Sequence, residues 1–495
     1  MSRALAIATA VLGAVWVAVV LGTAVARLGH PFELEWMGGA FVDHVCRLID
    51  GESLYVAPSA DYVPFLYGPL YFQVSAWTAA LVGEGFVPLR LVSIAATVAT
   101  WALLFALVRG RTGRAAPAIA AVGIYAAGYV VVDTWYDISR ADSLFVALTT
   151  ATMLALDRTR GPRGALAAAA LLTLAYLAKQ TALLLAPPFA IALAIRTPRA
   201  GLWFALAFAG LWGATNAALS AVTDGWYWFY TWTLPREHEY VTAPLWTFWR
   251  HDLMPLWPAL AVALFWAVRG LLDPATRRAT LADGAIGLGL LLAALSSRMH
   301  VGGAINVVMP AILSLAWLAG LAWPHGRTAG SRLALVPAAL VVLQLAGAWV
   351  EFGTTDDPHR PRLFQPARYV PDAADRAAGE RLVAILREAD GEVLVPFHGY
   401  LPRMAGKRGS AHAMALLDVQ RSGAPELAAR LVAEFHESAR ARDAAVVVLE
   451  DNLGPVELVH PGYRFVERIV ASDEPTFYPK VGLASRPVVV FRRKD

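Results

Sequence analysis

Long apolar runs separated by short polar connections fill the first 350 residues. Eleven of these runs have helix-spanning character: Ala4–Ala26, Pro88–Val108, Ala115–Val132, Ser143–Leu156, Ala165–Ala178, Thr181–Ile195, Leu202–Val222, Leu253–Val268, Leu281–Leu295, Val307–Leu321 and Ala334–Val350. They hold roughly 14 to 23 residues each, against the roughly 20 that cross a hydrocarbon core of about 30 Å. The shorter ones need help from flanking residues or a locally thinned bilayer. The first run, after Met1-Ser2-Arg3, is longer than a signal-peptide core and is followed by ten others, so it reads as the first span.

The stretch Pro69–Val82 is ambiguous by length, reaching only about 21 Å as a helix. The arginines decide. With this stretch on the surface, one side receives Arg109, Arg111 and Arg114, then Arg158, Arg160 and Arg163, Arg196 and Arg199, Arg269, Arg277 and Arg278, and Arg327 and Arg332. That is the inner side under the positive-inside rule. The opposite connections then carry the first loop, residues 133–142, Lys179 and Gln180, the aromatic loop Thr223–Asp252, and Ser296–Asn306. An odd number of spans starting inside places the C-terminus outside.

In the first outer loop, Phe41, Val42, Val45, Leu48 and Ile49 share one helical face and Gly51 ends the run, which predicts an amphipathic interfacial helix. A second begins at the Tyr67-Gly68-Pro69 turn. From Glu351 onward, prolines and charges increase. Asp372–Ala389 and Pro425–Arg442 have helical spacing, while Glu392–Pro396, Ala444–Leu449 and Pro487–Phe491 read as strands. The expected fold is therefore mainly α: a multispanning helical body over 1–350, with a small extracytoplasmic α/β domain over 351–495.

Composition agrees with this picture: 57% of residues are hydrophobic and 16% charged, with a mean hydropathy of +0.51. An ordinary soluble protein is excluded. The net charge of +4 comes from arginines at span ends, which argues against nucleic acid. Cys46 is the single cysteine, so no intramolecular disulfide can form. Lysine is scarce beside arginine and alanine is abundant, which fits a high-GC bacterial gene; with the spans, this makes a bacterial cell membrane the expected location.

Several features carry a resemblance. A span is followed by acidic residues, then by a helix ending in Gly51-Glu52, then Tyr55 and Tyr67-Gly68-Pro69-Leu70-Tyr71. Further on lies Ile138-Ser139-Arg140-Ala141-Asp142-Ser143-Leu144. Together these resemble the polyprenyl-phosphate-dependent glycosyltransferases of the GT-C fold, of the protein O-mannosyltransferase and aminoarabinose transferase types. Counting back from Gly51 to that family's acidic position gives Glu35. Gly68 stands where the family has the first of two prolines. The resemblance covers roughly the first two hundred residues, with a weak echo at Gly302-Gly303-Ala304-Ile305-Asn306.

It implies an inverting transfer of a sugar from a polyprenyl-phosphate donor to a glycan, lipid or protein acceptor among membrane lipids. One carboxylate takes the proton of the attacking hydroxyl and cations stabilise the departing phosphate. Glu35 is the expected base and Glu33 the alternative, against a solvated pair that merely caps the helix. Asp43, Tyr67, Asp137, Arg140, Asp142, Lys179, Arg298 and His300 are the expected substrate-binding residues. Their blander readings are an Arg140 salt bridge to Asp137 or Asp142, a snorkelling Lys179 and an exposed turn at Arg298 and His300.

The aromatic loop reads as an interface belt. Its histidines and carboxylates match no compact metal motif, and a divalent ion is left open. Gly406-Lys407-Arg408-Gly409-Ser410 lacks phosphate-loop spacing. The region of His398, Tyr400, Arg403 and His412 reads as a polar loop. The competing class is a transporter or lipid-linked sugar flippase, which should place ionisable groups and broken helices at mid-membrane. A third reading, a membrane-anchored binding protein, needs fewer spans than are present.

Overall fold

Each of the eleven apolar segments contains a helix in the computed structural model, which describes residues 3–323, 335–352, 361–441, 444–451 and 462–494. In chain order the main helices of this part are α1 (Arg3–Leu28), α2 (Gly38–Ile49), α3 (Leu70–Val82), α4 (Phe86–Thr112), α5 (Ala115–Val131), α6 (Asp142–Arg158), α7 (Pro162–Ala178), α8 (Ala186–Arg196) and α9 (Pro198–Val222). They continue with α10 (Trp257–Leu272), α11 (Arg277–Met299), α12 (Met309–Leu321) and α13 (Leu335–Gly347). Among the described residues, five helical stretches are long and apolar enough to cross a membrane: α1, α4, α9, Met254–Leu272 and α11. Arg327, Arg332 and Ala334 lie outside the described residues.

Neighbouring helices pack in chain order, α4 on α5 and α6, α6 on α7, and α7 on α9, while α1 returns to α5 and α13. Trp16 fixes that return by donating its Nε1–H to the Leu345 carbonyl at 2.7 Å. The two ends of the bundle differ chemically. At one end Arg111 reaches Asp157 at 2.7 Å and the buried Asp283 at 2.6 Å, and Arg196 also meets Asp283. At the other end lie the segments before α2 and α6 and after α7 and α11.

Helix α2 begins three residues earlier than its amphipathic stripe. Its apolar face, Phe41, Val42, Val45 and Cys46, is buried in protein. It packs on α3, on α4 and on a short tail helix, Tyr400–Met404. The turn before α3 explains the glycine at 68. A Cβ there would lie 2.2 Å from the Leu177 carbonyl oxygen of α7, a backbone atom that cannot give way. Gly68→Ala is therefore expected to lower the melting temperature through forced separation of the first loop from α7, by about 1–3 kcal/mol, the usual cost of overpacking. Thermal unfolding of the purified variant checks it.

The tail opens with an antiparallel pair, β1 (Val350–Phe352) and β2 (Pro361–Leu363). It then contains α14 (Ala373–Arg387), β3 (Val393–Leu394), α15 (Tyr400–Met404), α16 (Ala413–Gln420), α17 (Pro425–Ala441), β4 (Val446–Glu450), β5 (Tyr463–Arg468) and β6 (Pro487–Arg493). The four-stranded sheet has the order β3-β4-β6-β5, with β3 parallel to β4 and the other neighbours antiparallel. Asp372 starts α14 with a reciprocal cap, accepting from the Asp375 N–H while the Asp375 carboxylate accepts from its own. Arg442, the expected end of α17, falls outside the described residues.

Candidate active site

The chain leaves α1 under close control. Arg90 of α4 is buried and its guanidinium donates to the carbonyls of Arg27, Leu28, His30 and Phe32 at 2.5–3.2 Å. Those of Arg27 and Leu28 belong to the last turn of α1, where carbonyls lack intrahelical partners, and those of His30 and Phe32 lie in the segment beyond it. Arg27 itself pairs two-pronged with Asp137, at 2.7 and 2.5 Å, and Tyr129 also donates to that carboxylate at 2.9 Å. Asp137, expected as a substrate ligand, is thus occupied in tying α1 to the 133–142 segment. Arg27→Met is expected to destabilise by about 3–5 kcal/mol, since it strands a buried carboxylate. A fall in the thermal midpoint of the detergent-solubilised protein would show it.

Asp133 and Thr134 both have positive φ, 49° and 57°. This strained turn is held by Arg27, which donates to the Thr134 hydroxyl and carbonyl at 3.1 and 2.6 Å. It sends the chain back so that Arg140 points under the first loop. There Arg140 Nη1 lies 3.2 Å from Glu35 Oε2 and Nη2 donates to the Tyr67 hydroxyl at 2.7 Å. Both charged residues are buried, at 6% and 3% exposure. Phe41, Tyr67 and Trp135 surround the guanidinium, 4.7–5.5 Å from its carbon to their ring centres. Its Nε is buried and, among the described residues, has no hydrogen-bond partner.

A second cation lies beside the first pair. Lys179, just past the end of α7, meets Asp142 at the start of α6. Asp142 also accepts from Asn306 Nδ2 at 2.9 Å and Trp135 Nε1 at 3.2 Å. Asp142, Lys179, Thr181, Ser297, Asn306 and the apolar Phe145, Val307 and Met309 help line a narrow recess. Five expected residues, Glu35, Tyr67, Arg140, Asp142 and Lys179, are therefore brought together from four stretches of chain.

The others stand apart. Glu33 faces away to His398 of the tail, and its other oxygen accepts from the Gly39 N–H at 3.0 Å. Arg298 is engaged by Asp252 at 2.8 Å and by the Gly303 carbonyl, and His300 by the carbonyls of Val301 and Pro235. Asp43 sits on α2 under the fields of Arg403 and Arg47. In the aromatic loop Tyr227 and Tyr230 are buried, while Trp246 and Trp249 are exposed. Lys407 donates to the carbonyls of Ala389 and Gly391, which uses it as a loop tie. Among the described residues, no group of three or more metal-ligating side chains is gathered.

Burial raises the carboxyl of Glu35, partly offset by Arg140, and likewise raises that of Glu33 against the pull of His398. For Asp43 the same cause lifts the carboxyl to about 6, and for the Tyr67 hydroxyl to about 12. His398 behaves oppositely. Burial would lower it, but Glu33 and Glu450 together outweigh that and raise it to about 10. A group whose folded value lies above its unfolded one adds stability below the unfolded value, near 6.5, and loses it as pH rises through the folded value. Thermal stability is therefore expected to fall between pH 7 and 10, and to fall less in His398→Gln.

Trp135, Asn306, Glu450 and Asp418 are the neighbours that the sequence leaves unassigned, and His398, which reads there as part of a polar loop, is buried. Asp418 of α16 is buried, and burial lifts its carboxyl to about 7 against Arg421 and then Arg140. Only Asn306 has a local signal, in the glycine-pair echo before α12.

The family model described as dolichyl-phosphate-mannose-protein mannosyltransferase matches residues 67–228. Among solved structures, ArnT from Cupriavidus metallidurans bound to undecaprenyl phosphate superimposes with a TM-score of 0.62 at 12% identity, over 97% of each chain. Its apo state gives a TM-score of 0.60 at 14% identity, again over 97% of each chain. No curated protein matches by sequence. The chain therefore shares the fold of ArnT along nearly its whole length, and residues 67–228 are similar to the mannosyltransferase family model.

Proposed function

We propose that the chain moves a sugar from a polyprenyl-phosphate donor to a hydroxyl acceptor on the extracytoplasmic face, with inversion at the anomeric carbon and Glu35 as general base. The observation that carries this reading is the buried pairing of Glu35 with Arg140 beside a second pair, the buried Asp142 with the half-buried Lys179. The undecaprenyl phosphate in the ArnT structure of the same fold supports the donor class. The face is inferred from the arginines at the opposite end of the bundle.

In this mechanism the donor phosphate docks on Arg140 and Lys179, each of which trades part of its contact with a carboxylate for the phosphate oxygens. The unpartnered Arg140 Nε supplies a further donor. Glu35, released from its cation in a buried setting, is more basic than an exposed carboxylate and takes the proton from the acceptor hydroxyl. The hydroxyl oxygen bonds to the anomeric carbon as the bond from that carbon to the phosphate oxygen breaks. The electron pair leaves on the phosphate, where the two cations stabilise it. Direct displacement inverts the centre.

The test is a panel of undecaprenyl-phosphate hexoses and pentoses offered to the reconstituted chain, with release of undecaprenyl phosphate as the readout. Release that depends on Lys179 and Arg140 supports the reading. Movement of intact donor between leaflets without cleavage would favour the flippase class instead.

A further inference from the structure

The segment that carries Glu35 is anchored from the tail at two points. At the first, His398, which follows β3 and is 1% exposed, lies between two carboxylates. Its Nδ1 meets Glu33 and its Nε2 is 3.0 Å from Glu450 Oε1 of β4. Ser485 donates to the other oxygen of Glu450. Glu33 in turn accepts the Gly39 N–H in the first turn of α2 at 3.0 Å. A row of contacts thus runs from the tail sheet through His398 and Glu33 into the start of α2, and Glu35 lies between its last two links in sequence.

At the second point the tail adds a short parallel bridge, Glu35 with Val481, in which the Val481 N–H donates to the Leu34 carbonyl at 2.9 Å. The next residue, Gly482, donates to Asp133 Oδ2 at 2.8 Å. Its φ is +76°, and a Cβ there would lie 3.3 Å from both Glu35 Cγ and Trp135 Cζ3. The backbone around Glu35 is therefore pinned from the tail, and the tail leaves room for the Glu35 side chain by having no side chain of its own at 482.

We propose that His398 is a positioning residue for the transfer site: by holding Glu33 from the tail, it fixes the backbone from Leu34 to Gly38 and so aims Glu35 at Arg140. This rests on the reading of Glu35 as base. His398 touches neither Arg140 nor the phosphate site and acts only through Glu33. A doubly protonated imidazole suits the place, because an acceptor-only carboxylate faces each ring nitrogen, Glu33 hydrogen-bonded to Nδ1 and Glu450 at ion-pair distance from Nε2. The tail is then part of the active site, since the base is aimed only when the tail is docked.

Hydrogen exchange on the full chain tests this without a known sugar. In His398→Gln, amides over residues 33–41 are expected to exchange at least about 10-fold faster, as local opening becomes easier, while α4 to α7 stay as in the parent. Undecaprenyl phosphate affinity should remain within about 3-fold, because Arg140 and Lys179 are untouched. With the panel donor that the parent uses, kcat is expected to fall at least about 10-fold with donor KM little changed, the signature of a misplaced group.

The double variant Glu33→Gln/His398→Gln removes one of the two carboxylates that the single variant strands, leaving Glu450, so it should regain part of the thermal stability without regaining kcat. Gly482→Ala should lower kcat by pressing on Glu35 directly. A folded His398→Gln with unchanged exchange over 33–41, or a double variant that recovers kcat along with stability, would overturn the proposal. Full turnover by Glu35→Gln would remove the base assignment but leave the exchange result for His398 standing, so the two failures are distinguishable.

Discussion

The Glu35→Gln variant is expected to insert and fold like the parent and to lose sugar transfer by about 10²–10⁴-fold, the range that a positioned general base contributes. Glutamine keeps an oxygen that Arg140 can reach, so the 3.2 Å contact is not abolished, only its charge and its basicity. Undecaprenyl phosphate should bind at least as well as before, because Arg140 no longer shares its charge with a carboxylate. The same substitution at Glu33 should act more weakly and through the backbone, since that carboxylate faces His398 and the Gly39 N–H rather than the cations. Equal losses at both positions with unchanged exchange over the loop would point to Glu33 as the base.

Arg140→Met should do more damage than any other cation change. It removes a donor to the leaving phosphate, worth about 10²–10³-fold where such groups have been deleted in preorganised sites. It also leaves Glu35, 3% exposed, without its counter-charge, a loss of about 3–5 kcal/mol for a buried pair broken on one side. The expected result is weaker undecaprenyl phosphate binding, a lower thermal midpoint and no measurable transfer. Arg140→Lys restores a charge but not the fork that spans Glu35 and Tyr67, so it should recover stability more than transfer. Transfer equal to the parent in the lysine variant would mean that the fork geometry is irrelevant.

The helical body is legible in the sequence because spanning helices announce themselves by continuous apolar length. Each of the eleven runs contains a helix, and five of them fall in helical stretches that, among the described residues, are long and apolar enough to cross a membrane. The acidic position before α2 and the Ser139-Arg140-Ala141-Asp142 stretch are legible for a different reason, since each is a local motif, and the fold brings them together. What joins them is not local. Glu35 and Arg140 are 105 residues apart, and Glu33 and His398 are 365. No periodicity records such pairings.

Asp137 shows the converse. Its place in an outer loop suggests a ligand, but Arg27, at the far end of an apolar helix, takes it. Strand β5, Tyr463–Arg468, escapes detection because charges interrupt its alternation and a register shift lies between Phe465 and Glu467. The glycine at 68 looks like a departure from the family pattern until the Leu177 carbonyl is seen against it.

Transport and transfer make different demands on one lipid. A flippase carries an intact lipid-linked sugar past the bilayer midplane, whereas a transferase holds its phosphate at one end of the bundle while the glycosidic bond breaks. The buried Arg140 and the half-buried Lys179 lie together at the end opposite the Arg111–Asp283 network. The measurement that separates the two is a structure of the purified chain with undecaprenyl phosphate added. Phosphate density within hydrogen-bond distance of Arg140 and Lys179, with the Glu35 carboxylate beside it, is the result expected here. Lipid density running between the leaflets, with Arg140 still closed on Glu35 and no phosphate at Lys179, would contradict it.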